Sequence, residues 1–486
     1  MKRTIAIISL LIFCGSAIGQ SVDDFRARYE KFTEEARKEY DSFRDSANAR
    51  YAAFLAASWK EMKLMPAIPK PKEKEIKPVI YKDTPIKNNP VPIKEIIPPV
   101  VPAPSPKPIF PIDKDRRPKP NLEGVVKVFG TEFTLNYSSE FAGIISNNTE
   151  TASLWLALAG SKDVEGILSR CCSYREDYAL CDWAYLNFCL AAGDALAGAG
   201  SDNATVMAAY ILSNSGFNVR LAKDRAGKTN LLFACENTIY SRRFIYLDGL
   251  KYYPVREVDT NQFVSEARYD GEAPLSLDIR SQQKFAVNPS EPRLCKASRL
   301  RGFTISVSVN KNLVDFYSTY PTSCINDNFM TRWAYYANAH LDESVSSTLY
   351  PALRSAIAEK SVYDAADLLL NFVHSSFPYG YDSEIWGRDR AFFCEESIFY
   401  PKSDCEDHAI LYSRLVRDLL KLPVVLVYYP GHIATAVAFP EEVKGDFVLV
   451  DGRKFTVCDP TYFGSHVGST MHGMDNSAAT VVLLDL

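Results

Sequence analysis

Two stretches of this chain, 202 residues apart, repeat one another. Ser201-Asp202-Asn203 runs into ATVMAAYILSNSGFNVRLAK, and Ser403-Asp404-Cys405 runs into EDHAILYSRLVRDLLKLPVVLVYY. Each reads as a helix begun by Ser-Asp, a short gap and a strand. The same offset pairs Asn230 with His432, and at an offset of 203 the run DGLKY from Asp248 aligns with DGRKF from Asp451. A near-constant offset over this span, far longer than a solenoid period, restricts the fold to two copies of one unit. Residues 121–265 are read as a degenerate copy and 266–486 as the intact one.

In the second copy Ser403 is a good N-cap and Glu406 follows three residues later, so Ser403-x-x-Glu406 reads as a capping box that puts Cys405 in the first helical turn. Cys405, Ala409, Tyr412, Val416 and Leu419 then recur at helical spacing until Pro423 ends the pattern. The unpaired N–H groups at a helix start favour thiolate over thiol, whereas Glu406 and Asp407 oppose it. Taken alone, Cys405 is a small apolar residue at a helix start.

Downstream residues change that reading. His432 opens a strand after the turn Pro430-Gly431, with Ala434, Ala436 and Ala438 on its own face, leaving room for a helix. A second hairpin turns at Asp451-Gly452 and ends in Cys458-Asp459-Pro460, where proline stops the ladder directly after the acid. Adjacent strands let the Asp459 carboxylate meet the His432 imidazole while the helix start delivers Cys405, the order of nucleophile, base and orienter. In the first copy the corresponding positions are Asn203, Asn230 and a residue near Arg256, which cannot act as thiolate and base. The Cys405 N–H is an expected oxyanion donor. Trp386 and Tyr400 are candidates for a second donor, each with packing as the plainer role, and Asp404 is a candidate local partner. His408 faces the wrong way for a base and reads as structural or surface, and His466 and His472 lie in a glycine-rich loop that can rim the cleft. A metal site built from Cys405, His408, His432 and Asp459 is the weaker alternative, so neither metal nor cofactor is expected.

SDCEDHAILYSRLVRDL, GHIATAVAF, the Asp-Gly turn and VCDPTY together resemble the transglutaminase-like cysteine protease superfamily over residues 360–470. The resemblance implies an α+β (papain-like) fold in which a helix bearing Cys405 packs on an antiparallel sheet bearing His432 and Asp459. It also implies acyl chemistry at an amide, without naming the substrate.

The rest of the chain supplies attachments. MKRTIAIISLLIFCGSAIGQ has the charge and apolar run of a signal peptide cleaved after Gly19, so export to a periplasm or cell surface is expected. Residues 20–65 place aromatics at steps of three or four, a long amphipathic helix that self-associates or docks. Residues 66–120 hold 16 of the 28 prolines, and read as a polyproline II spacer of up to about 170 Å. Its 12 basic against 6 acidic residues suit an anionic envelope polymer as well as simple solubility. A net charge of −4 makes no general case for nucleic acid, and no apolar run after the signal is long enough to span a membrane. The expectation is an exported thiol hydrolase or acyltransferase acting on protein or peptide amides. The alternative is a non-catalytic envelope-binding protein with a vestigial triad.

Overall fold

The computed structural model describes residues 22–72, 76–77, 79–82, 86–101, 104–111, 120–474 and 478–485. The signal-peptide reading lies outside them. The chain is a mixed α+β protein, as expected, with two six-stranded sheets.

The two sheets share one strand order. In the second, neighbours run Phe447–Val450, Arg453–Cys458, His432–Val437, Val424–Tyr429, Ala479–Leu483 and Ile93–Ile97. In the first they run Ile245–Leu247, Leu250–Pro254, Thr229–Cys235, Val219–Lys223, Gln262–Val264 and Lys60–Met62. Counting only the strands that join each sheet, both use the third, fourth, second, first and fifth after their helix, and both are completed by a strand from the N-terminal region; the first half's Thr238–Ile239 pairs separately with Ser323–Cys324. The Asp-Gly hairpins match residue for residue: Asp248 and Gly249 have φ of 52° and 81°, Asp451 and Gly452 have 50° and 76°. Positive φ at both central positions is what a tight two-residue hairpin needs, and Asp-Gly supplies it at little steric cost.

Each sheet also closes on itself. Pro90 bridges Phe447 on the far edge of the second sheet, and Met65 bridges Phe244 beside the far edge of the first. Ala434, Ala436 and Ala438 therefore do not face the helix. They line the interior of the closed sheet with Val91, Val425, Val448, Val457 and Val481, where small side chains suit a narrow cylinder. The helix Cys405–Leu420 packs on the opposite face, where Ile433, Val437 and Cys458 join its buried stripe.

The proline-rich segment is consequently a strap rather than a free spacer. Ile93–Ile97 pairs in parallel with Ala479–Leu483, the Pro106 carbonyl accepts from Arg175 at 3.1 Å, and the Ile109 N–H reaches the Asn214 carbonyl at 3.0 Å. Proline cannot form a central ladder, but five consecutive residues free of it suffice for one edge strand. The amphipathic helix ends at Ala56, and Lys60–Met62 forms an edge strand instead of continuing it. It docks on the body: Tyr51 is buried and stacked on Trp155 at 4.1 Å, and Asn48 accepts from the Tyr269 hydroxyl at 2.6 Å. Two helices, Glu343–Ile357 and Val362–Ser376, precede the Cys405 helix in the second half. All ten cysteines among the described residues are free thiols, and no described helix is long and apolar enough to cross a membrane.

Candidate active site

Cys405 lies in the first turn of its helix, as read from sequence, and is its first residue because the cap is displaced by one position. Asp404 is the N-cap, and its N–H donates to the Asp407 carboxylate at 3.1 Å while the other Asp407 oxygen takes the Phe392 N–H at 2.8 Å. The Ser403 hydroxyl is buried without a partner. Ser403 instead belongs to the backbone bridge with Tyr379, which pulls its side chain away from the capping position. Glu406, not needed for capping, turns to the sulfur, and its carboxylate accepts from the Cys405 thiol at 3.3 Å.

His432 opens its strand opposite Tyr429. Its Nε2 lies 2.8 Å from Asp459 Oδ2, and both side chains are almost fully buried. The second Asp459 oxygen accepts from the Thr461 N–H and hydroxyl, each at 3.0 Å, and from the Tyr462 N–H at 3.1 Å. These bonds and the imidazole hold the carboxyl below its ordinary range against the effect of burial. The Cys405 sulfur is turned to the backbone N–H of Ile433, the residue after His432. Imidazole and carboxylate are thus bonded to each other, and the helix start bearing Cys405 lies by the residue that follows His432.

The thiol does not ionise readily there. Burial first, and then the charges of Glu406 and Asp404, push it well above its ordinary value, so the helix start loses to desolvation and to its acidic neighbours. Cys405 is 9% exposed. Cavities of about 170, 600 and 580 Å³ lie elsewhere, lined by residues of the first half and of the N-terminal region such as Tyr40, Trp59 and Met65.

Two further histidines back the Asp459 corner. His374 Nε2 meets the Asp459 carbonyl at 3.1 Å. His408, which the sequence left as structural or surface, is fully buried beside the Pro460 carbonyl and the rings of Phe377 and Tyr379. Burial lowers them to about 4 and about 3, so both are neutral. His466 pins its loop to Asp367 at 3.0 Å, and His472 is exposed. Trp386 and Tyr400 pack edge to face at 4.9 Å, with the Arg390 guanidinium over both rings, which is the packing role.

Sequence reasoning missed three residues. Tyr379 presents a phenol to Cys405, Asp404 and Glu406, whose charges add to burial in raising it. Asp382 and Asp389 bring carboxylate oxygens within 4.8 Å of Glu406. All three precede the repeated stretch that begins at Ser403, so only a contact could have singled them out.

In the first half the Cys405 position is a clamp: Asn203 Nδ2 donates to the carbonyls of Ile145 and Asn148 at 2.8 and 3.0 Å. Ladder register corrects the histidine position. Ala436 pairs with Val457 and Leu232 with Pro254, so with the hairpins aligned, His432 corresponds to Lys228 rather than Asn230, and Asp459 to Arg256. Lys228 makes an ion pair with Asp202 at 2.8 Å. No protein-family model, curated protein or solved structure matches this chain.

Proposed function

We propose that this protein is an exported thiol-dependent hydrolase or acyltransferase acting on protein or peptide amides, with a transglutaminase-like catalytic half and a degenerate, silent half. The observation that carries the reading is the closed His432–Asp459 bond beside the helix start bearing Cys405. Asp459 commits Nε2 and leaves Nδ1 for the sulfur. In the proposed step His432 takes the thiol proton as Cys405 Sγ bonds to the amide carbonyl carbon. The C–N bond then breaks with return of that proton to the leaving amine, and the thioester passes its acyl group to water or an amine. The Cys405 N–H, at a helix end where donors have no intrahelical partner, and the Tyr379 hydroxyl are the proposed oxyanion donors. Trp386, Tyr400 and Asp404 are assigned packing and capping instead. Hydrolysis is preferred because no amine-donor site is read from the sequence or among the described residues. The non-catalytic alternative draws on the near-complete burial of Cys405.

Iodoacetamide labelling of Cys405 across pH, in the native sequence and in His432→Ala, tests the reading. A functioning pair gives labelling at neutral pH that falls by about 10²-fold in the variant, the scale of a positioned general base. Labelling that His432→Ala leaves unchanged would sink the proposal.

A further inference from the structure

Next to Cys405 the described residues include more buried carboxylates than cations to pair with them. Asp382 and Glu406 are buried and Asp389 is partly open, with all three offering oxygens within 4.8 Å of one another. Asp404 adds a carboxylate beside Glu406, and one of its oxygens is buried without a partner. Arg332 acts on the cluster from the side, sandwiched between Phe329 and Trp333. At the open end, Lys70 of the strap inserts its ammonium. It forms an ion pair with the Asp389 carboxylate and donates to the Asp389 carbonyl at 2.8 Å, although the two residues lie 319 positions apart.

The strap passes this point as a bound peptide would. Before Lys70, the Ile68 carbonyl accepts from the Ser241 N–H at 2.8 Å; after it, the Tyr81 N–H donates to the Phe463 carbonyl at 2.9 Å, and the Tyr81 ring lies against Tyr462. Phe463 and Tyr462 follow Asp459, and Asp389 leads through Glu406 to Cys405. The strap is therefore anchored on both sides of the candidate site, and between those anchors it places a lysine in an acidic recess.

We infer that the Asp382–Asp389–Glu406 recess is a subsite for the ammonium side chain of an extended polypeptide, filled here by the chain's own Lys70. The inference rests on Cys405 being the reacting group, since it makes the recess part of the substrate cleft. An ammonium held by carboxylates has no lone pair, so the subsite recognises a lysine and does not supply an acyl acceptor. The strap acts as an internal competitor, and incoming chains of the same character displace it.

The test uses the full chain with Lys70→Met, which keeps an unbranched side chain out to Cε and removes the ammonium, and Lys70→Arg as a folding control. Acetyl-Pro-Lys-Pro-amide and its norleucine counterpart are added separately during iodoacetamide labelling of Cys405. In Lys70→Met the lysine peptide is expected to slow labelling at least tenfold and the norleucine peptide to leave it unchanged, with a smaller effect in the native chain. Asp389→Asn in the Lys70→Met background abolishes the difference. Equal effects of the two peptides overturn the inference, as does protection by calcium chloride without protection by the lysine peptide, which makes the recess a cation site. The thermal shift caused by each peptide is read in parallel. Discrimination there with labelling indifferent to His432→Ala means that the catalytic reading has failed and the subsite has not.

Discussion

Single residues in this protein are governed by burial of acids. Glu395 is almost fully buried, its Oε1 accepts the Asp342 N–H at 2.6 Å, and desolvation pushes it up to about 8 from an ordinary 4.5. Glu406 is pushed up to about 7 and Asp382 to about 8 for the same first cause, followed by neighbouring carboxylates. The folded state then binds protons that the unfolded chain has released, so stability is fully present below the unfolded value and is lost as pH rises towards the folded one. The melting temperature is therefore expected to fall between about pH 5 and pH 8. Glu395→Gln keeps the acceptor and removes the ionisation, so it should raise the melting temperature at pH 8 and change it little at pH 5. A parallel displacement at both values would contradict the assignment. Asp459 has the opposite sign: its depressed value contributes stability that is lost only in strong acid.

At the scale of the element, the start of the Cys405–Leu420 helix depends on Asp407 rather than on Ser403. Asp407→Ala strips the acceptor from two buried N–H groups, at about 1–3 kcal/mol for each group left unsatisfied, less what is regained by removing a buried acid. Ser403→Ala removes a hydroxyl that bonds to nothing and should stay within about 0.5 kcal/mol. Chemical denaturation of the two variants gives the order directly, and a larger loss for Ser403→Ala would restore the capping box read from sequence. The position of Cys405 depends on the same distinction, because Glu406 is free to bond the thiol only when it is not capping.

At the scale of the whole molecule, one apolar core runs from Ala47 of the docked helix through both halves to Leu484, and the N-terminal region adds a strand to each closed sheet, Lys60–Met62 before the strap and Ile93–Ile97 within it. The halves are expected to unfold together in calorimetry, with one transition whose calorimetric and van't Hoff enthalpies agree. Tyr51→Ala, which removes the ring stacked between the helix and Trp155, should lower that single transition by about 3–5 kcal/mol. Two separated transitions, with only one displaced by Tyr51→Ala, would show that the halves fold independently.

The sequence alone determined the repeat, the helix that begins at Cys405, the two Asp-Gly hairpins and the order of Cys405, His432 and Asp459, because each rests on residues close together in the chain or on one repeated pattern. Local rules also misled it: Ser403 looked like the cap, the alanines after His432 looked like the seat of the helix, and the prolines looked like a spacer. Those points turn on which groups meet across hundreds of residues. Ser403 is drawn into a bridge with Tyr379, the alanines fill a cylinder that exists only once Pro90 reaches Phe447, and the strap lends the second sheet its edge strand Ile93–Ile97. Only the tertiary structure decided that Cys405 stands as a buried thiol bonded to Glu406, with Lys70 at the mouth of an acidic recess, because desolvation and charge pairing depend on neighbours in space.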